Sequence, residues 1–152
     1  MELRKLWTSQ NHWRPVTLRR ELVMFKSTGT LQYFTNPYKV WVLVDPGIAA
    51  FYRSMIPPIY GVKRPKYPAH ISVVRKAIPR KLDAWGLHEG RQITFEYELW
   101  HYNDHRYWWL GVRCNELEDI RLELGLPRLS DITRSPDSGH PFHITIGNTK
   151  EQ

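Results

Sequence analysis

The chain has 152 residues, of which 41% are hydrophobic and 24% charged, and this fits one soluble domain (1–152) with its own hydrophobic core and no apolar run long enough to span a membrane. Its formal net charge of +7 favours a polyanionic substrate or partner, such as RNA or a nucleotide phosphate, although a basic surface can also serve solubility alone. A lone cysteine, Cys114, excludes an intrachain disulfide and, with no apolar leader at the start, predicts a cytoplasmic protein in which this thiol is buried structure.

The first third of the chain is polar before it becomes apolar. Residues 1–20 are basic and predict no defined element. Residues 21–34 predict a hairpin, since two short apolar runs flank Ser27-Thr28-Gly29. Residues 1–37 are therefore expected to form an N-terminal extension and hairpin packed on a core of residues 38–148.

The core begins with a strand, a helix and a second strand. Residues 40–44 form a continuous apolar run, typical of a buried central strand. Asp45-Pro46 predicts the start of a helix, with Asp as N-cap and Pro at the first helical position. Apolar residues follow at helical spacing: Ile48, Phe51, Tyr52 and Met55. A basic, proline-rich loop then leads into the strand His70-Ile71-Ser72-Val73-Val74.

The second half repeats this order. A hairpin of residues 92–100 and 107–114 leads to a helix that opens with Asn115-x-x-Glu118, close to a capping box. Its apolar stripe is Leu117, Ile120 and Leu124, and Gly125 ends it. A turn-rich loop then enters the strand His143-Ile144-Thr145-Ile146. The two helix caps and the two motif histidines have nearly equal separations, so the sequence predicts a duplicated strand–helix–strand unit in an α+β fold.

The two His-x-Ser/Thr tripeptides carry the chemistry of the predicted site. Alternation along a strand places His70 and Ser72 on one face, and likewise His143 and Thr145, while the isoleucines face the core. Two imidazoles with an unperturbed pKa of about 6.5 suit acid and base catalysis near neutral pH. Two hydroxyls can donate to the non-bridging oxygens of a phosphodiester. No metal or other cofactor is needed for such a reaction.

Other readings of these residues stay open. A single His-x-Ser is usually only a solvated strand face, and the case depends on two such motifs in a duplicated unit. His101 and His105 have i,i+4 spacing but flank a turn, which suits zinc poorly. The candidate substrate-binding residues, which could equally form a solvated rim, are Lys63, Arg64, Lys66, Arg134 and His140.

The motifs His70-Ile-Ser72-Val and His143-Ile-Thr145-Ile resemble the paired H-x-[ST]-hydrophobic (HxT) signatures of the 2H phosphoesterase superfamily. That family includes RNA ligase-like proteins acting on 2′,5′ linkages, cyclic phosphodiesterases, 2′,5′-oligoadenylate phosphodiesterases and phage proteins that destroy cyclic-nucleotide immune signals. The resemblance covers residues 38–148. It implies a bilobal α+β fold, with two antiparallel sheets flanking a central cleft, and metal-independent hydrolysis.

The sequence thus predicts a monomeric phosphodiesterase for RNA-like or cyclic (oligo)nucleotide phosphodiester bonds. His70 and His143 are expected as acid and base in an unassigned order, and Ser72 and Thr145 as the phosphate clamp. The alternative is a non-catalytic RNA-binding module in which basic loops track the backbone and aromatic rings stack on bases.

Overall fold

The structure, a computed structural model, describes residues 24–130 and 140–151. Its strands are β1 (Met24–Phe34), β2 (Lys39–Leu43), β3 (His70–Val74), β4 (Gln92–Asn103), β5 (Tyr107–Arg113) and β6 (Phe142–Asn148). Its helices are α1 (Pro46–Ser54) and α2 (Asn115–Glu123), with short 3₁₀ turns at Pro58–Tyr60 and Leu82–Ala84. In this part of the chain no helix has the length and apolar character needed to cross a membrane.

All six strands belong to one closed antiparallel barrel in the order β1-β2-β3-β6-β5-β4, with β4 paired back to β1. The predicted bilobal α+β fold with two sheets flanking a cleft is therefore wrong. Closure arises at two seams. β3 pairs with β6, and the long strand β1 pairs with β4 over Met24–Thr30 and with β2 over Thr30–Phe34. Such closure leaves no sheet edge exposed.

The predicted hairpin at residues 21–34 is also wrong, because β1 runs without a turn through Ser27-Thr28-Gly29. Gly29 is needed for close approach of two strands rather than for a turn. A Cβ there would lie 2.5 Å from the Leu43 carbonyl oxygen and 2.6 Å from Val42 Cγ1. Residues 24–34 are thus part of the barrel wall, and the earlier part of the predicted extension lies outside the described residues.

The duplicated element order is present as β2–α1–β3 and β5–α2–β6. The predicted stripe of α2 is confirmed, since Leu117, Ile120 and Leu124 are all buried. The stripe of α1 is partly wrong: Tyr52 is buried, but Phe51 is 60% and Met55 52% exposed. This short helix buries only a narrow face, and α1 packs mainly on β6.

The helix ends follow the sequence in part. The Asp45 carboxylate accepts a hydrogen bond from Gly47 N at 2.8 Å, which confirms the predicted N-cap of α1. The capping box at Asn115 is wrong, because Cys114 is the N-cap and no side chain caps the helix. Gly125 ends α2 with φ of +77°, as predicted. Cys114 is buried, and burial raises the pKa of its thiol.

Candidate active site

The two motif strands are direct neighbours, because β3 pairs antiparallel with β6 and Ile71 lies opposite Ile144. This register sets His70 opposite Thr145 and Ser72 opposite His143. The isoleucines are fully buried, so the four polar side chains share the other face. The two histidines are diagonal neighbours, a relation that separates strand residues by roughly 7 Å. A single phosphate group fits between two imidazoles at that separation.

All four side chains line one cleft with a volume of about 640 Å³. The predicted juxtaposition is therefore present, while the roles of the residues stay predictions. The cleft is basic. Among the described residues its lining includes the cations Lys39, Lys66, Arg75 and Lys150, and one carboxylate, Glu151. A cleft with this charge favours an anionic substrate.

Sequence reasoning missed several lining residues: Lys39, Trp41, Arg75, Tyr107 and Lys150. Trp41 of β2 lies directly opposite Ser72 of β3. Arg75 follows the last residue of β3, so its position beside the motif was visible in the sequence. The others required knowledge of which strands pair, and short apolar runs do not carry that information.

The His70 ring is held from two sides. Its Nδ1 lies 2.7 Å from the Pro68 carbonyl oxygen. A carbonyl only accepts hydrogen bonds, so Nδ1 carries the hydrogen and, in the neutral ring, Nε2 keeps its lone pair. The Trp41 ring stacks on the imidazole, with centroids 4.0 Å apart and planes inclined by 18°. Tautomer and ring orientation are both fixed in this way.

The electrostatic surroundings of His70 favour its neutral form. Burial lowers the pKa of the imidazole below its ordinary value of 6.5, and the positive charges of Lys39 and Arg75 lower it further. The hydrogen bond to Pro68 acts in the opposite direction but is the smaller effect. A neutral imidazole with a free Nε2 lone pair is a proton acceptor at pH 7.

His143 has a different neighbourhood on the second strand. It is half-buried and lies opposite Gly111 of β5, while Thr145 lies opposite Trp109. Gly111 presents no side chain, and its place is taken by His140 and Glu98, whose nearest atoms would lie 3.1 and 2.9 Å from a Cβ at Gly111.

The predicted substrate-binding residues divide between several places. Lys66 lines the cleft, and Arg64 lines a second pocket beside it. Lys63 lines neither; its backbone instead bridges to Asn148, with N···O distances of 2.8 and 3.0 Å. His140 Nε2 forms an ion pair with Glu98 Oε1 at 2.7 Å and is not part of the cleft lining. Arg134 lies outside the described residues.

Among the described residues, no further ligands gather around the alternative zinc pair. His101 lies on β4, where burial lowers the pKa of its ring, and His105 occupies the β4–β5 turn with φ of +69°. Among residues 24–130 and 140–151, no three His, Cys, Asp or Glu side chains gather in a way that could hold a metal ion. His88 has a partner that the sequence did not suggest, since its Nε2 lies 3.1 Å from Glu123 Oε2.

Comparison of the chain with family models, curated proteins and solved structures finds no match. The resemblance to 2H phosphoesterases therefore depends on the two motifs and on the cleft they share. The closed barrel departs from the two-sheet fold that this resemblance implies, so fold likeness adds nothing to the functional argument.

Proposed function

We propose that this protein is a metal-independent phosphodiesterase of the 2H type, acting on RNA-like or cyclic (oligo)nucleotide phosphodiester bonds. One observation supports it above the others: the β3–β6 pairing brings two His-x-Ser/Thr motifs to diagonal positions in one basic cleft. A solvated strand face would not require both motifs on adjacent strands in matching register.

The surroundings of the two histidines suggest an order of proton transfer. Nε2 of His70 takes a proton from the attacking hydroxyl or water while the new P–O bond forms. The bond to the leaving oxygen breaks, and the His143 imidazolium supplies its proton. His70 suits the first role because its tautomer leaves Nε2 unprotonated and its surroundings favour the neutral ring. Each such transfer contributes on the order of 10²–10⁴-fold in rate.

The hydroxyls complete an arrangement with approximate twofold symmetry. Each lies across the strand pair from the other motif's histidine, Ser72 from His143 and Thr145 from His70. Hydroxyls in these positions donate to the non-bridging oxygens, where negative charge increases in the transition state. The cationic lining of the cleft stabilises the same charge.

The competing RNA-binding module fits the cleft less well. Base stacking needs an open aromatic face, but His70 lies stacked against one side of the Trp41 ring. Lys39 Nζ lies over the same ring, 4.4 Å from its centroid. Trp41 thus contacts a histidine and a lysine on its ring, an arrangement that suits a catalytic site better than a stacking platform.

The test is cleavage of a panel of linear and cyclic 2′,5′ and 3′,5′ nucleotides in the presence of EDTA. We expect the wild type to cleave at least one linkage, and His70→Ala and His143→Ala to lose that activity. A matched control is His105→Asn, which changes an exposed histidine in a turn and keeps a residue type that tolerates positive φ. Absence of cleavage by the wild type, or full activity in either histidine variant, would contradict the proposal.

A further inference from the structure

A second pocket of about 300 Å³ adjoins the catalytic cleft. It lies between α1 and the loop that precedes β3, and it shares Thr145 and Lys66 with the cleft. Its lining includes Arg53, Arg64 and Lys66 and, among the described residues, no carboxylate. We call it the arginine pocket. Three cations around a small concave space favour an anion.

Arg53 is held in place independently of any ligand. One guanidinium nitrogen donates to the Ile146 carbonyl oxygen at 2.7 Å. Its Cδ lies 3.5 Å from where a Cβ on Gly147 would stand, so the Arg53 side chain packs close to β6. Burial and the nearby charge of Arg64 both lower the pKa of Arg53, the direction expected when two positive charges lie close together.

No carboxylate of the described residues forms an ion pair with Arg53. Arg53 lines the pocket, and its bond to Ile146 uses one guanidinium nitrogen, so the group has further N–H donors. Arg53 is half-buried beside further cations and its guanidinium is bound to a backbone carbonyl, so an anion in the pocket would offset the local positive charge. The planar donor fork of arginine matches the oxygens of a phosphate.

We infer that the arginine pocket binds a phosphate group next to the one between the histidines, so that the substrate is an oligonucleotide with at least two phosphates. This rests on the proposed function, because Thr145 lines both spaces and is the proposed clamp of the scissile phosphate. The phosphate next to the scissile one along the oligonucleotide would reach from the cleft into the arginine pocket. A cyclic mononucleotide carries one phosphate and would leave this pocket unused.

The test measures binding in the His70→Ala/His143→Ala protein, so that no ligand is consumed. The probes are a dinucleoside monophosphate and the corresponding trinucleoside diphosphate, which differ by one nucleoside and one phosphate. We expect the added phosphate to tighten binding by about 10- to 100-fold, the range of hydrogen bonds to charged groups. Arg64→Met, which leaves the Arg53–Ile146 bond intact, should lose most of that gain, and Arg53→Lys part of it.

Arg128→Gln is the matched control, since it removes one positive charge from a side chain that is 63% exposed and lines neither pocket. This variant should keep the full gain. Three results would overturn the inference. The added phosphate could tighten binding equally in Arg64→Met and Arg128→Gln, it could tighten binding by less than about threefold without these changes, or the trinucleotide could show no measurable binding. Cleavage of the trinucleotide by the wild type judges the proposed function separately.

Discussion

The two halves of the barrel carry corresponding arginines with different surroundings. Arg53 of α1 donates to the carbonyl of Ile146, three residues after His143. Arg121 of α2 donates to the carbonyl of Val73, three residues after His70, also at 2.7 Å. Each helix thus holds the histidine strand of the other half. These reciprocal contacts show the duplication more clearly than the sequence does, because the two halves have little sequence identity.

The arginines differ in burial. Arg121 is 3% exposed and donates a second bond to the Pro127 carbonyl at 2.8 Å, so its role is structural. Arg53 is half-buried and borders a pocket. The histidines also have different neighbours, since His70 contacts Trp41 and the Pro68 carbonyl while His143 lies opposite Gly111. Duplication accounts for where these residues lie, and the differences between the halves account for their separate roles.

The largest effects should come from the histidines. His70→Ala and His143→Ala should each lower the rate of cleavage by about 10²–10⁴-fold, because each removes one proton transfer. The double variant should be scarcely slower than either single variant, because the two act as a unit. In kcat/KM measured against pH, His70→Ala should lose the acidic limb and His143→Ala the basic limb.

If His70→Ala lost the basic limb and His143→Ala the acidic limb, His70 would be the acid and His143 the base. If the remaining activity of either variant kept both limbs of its pH profile, groups other than the two histidines would be responsible for them. These profiles therefore test the contrast between the histidines independently of the size of the rate loss.

The local structure was largely predictable from the sequence, and the closure of the sheet was not. The strand predicted at residues 40–44, which the structure has at Lys39–Leu43, follows from periodicity that acts within a few residues, as do the Asp45 cap and the stripe of α2 from capping and periodicity. Gly29 was misinterpreted because glycine in a polar run favours a turn, whereas here it makes room for Leu43 and Val42 of β2. That contact lies between strands, so no local sequence pattern predicts it.

The candidate site shows the same division. The alternation of His70 with Ser72 and of His143 with Thr145 is local, and it placed the four side chains on two strand faces. Lys39 and Trp41 join them only because β2 pairs with β3. His140 lies close to the motif in sequence and in space, but it pairs with Glu98 of β4 beside Gly111 and does not line the cleft.

The arginines should differ in their effect on stability. Arg121→Met should lower the free energy of unfolding by about 2–4 kcal/mol, because it leaves the Val73 and Pro127 carbonyls without a charged donor. Arg53→Met should cost about 1 kcal/mol, because one partly accessible bond is lost. Urea denaturation of both variants gives the comparison. Equal losses would mean that Arg53 is as structural as Arg121.

Gly147 of β6 lies so close to the loop before β3 that a larger side chain would clash with it. A Cβ at this position would clash with Val62 Cγ1 and lie 3.0 Å from the Lys63 carbonyl oxygen, in the loop of the other half. Gly147→Ala should therefore lower the free energy of unfolding by about 1–3 kcal/mol. Adding Val62→Ala removes the closest atom, so the double variant should lose less than the sum of the single losses in a denaturation cycle. Strict additivity would show that the two positions do not press on each other.

The smallest expected effect concerns the charge near His70. Lys39 lowers the pKa of that imidazole, so Lys39→Met should raise it towards 6.5 and move the acidic limb of kcat/KM to higher pH. The lowered pKa also means that stability falls as pH drops below about 6.5, because the unfolded chain binds the proton more readily. Above that pH the ring is neutral in both states and this effect is absent.

Titration of the His70 ring by NMR, together with the pH profile, measures both consequences in Lys39→Met. Lys26→Met, an exposed lysine on β1 outside the cleft, is the control and should leave both unchanged. In Lys39→Met the stability loss on acidification should begin at the same pH, since the unfolded chain is unaltered, but should end sooner because the folded pKa is higher. An acidic limb that stays in place while the His70 pKa rises would show that the base is another group. His70 would then be a structural residue of the first half, stacked on Trp41 without taking the proton.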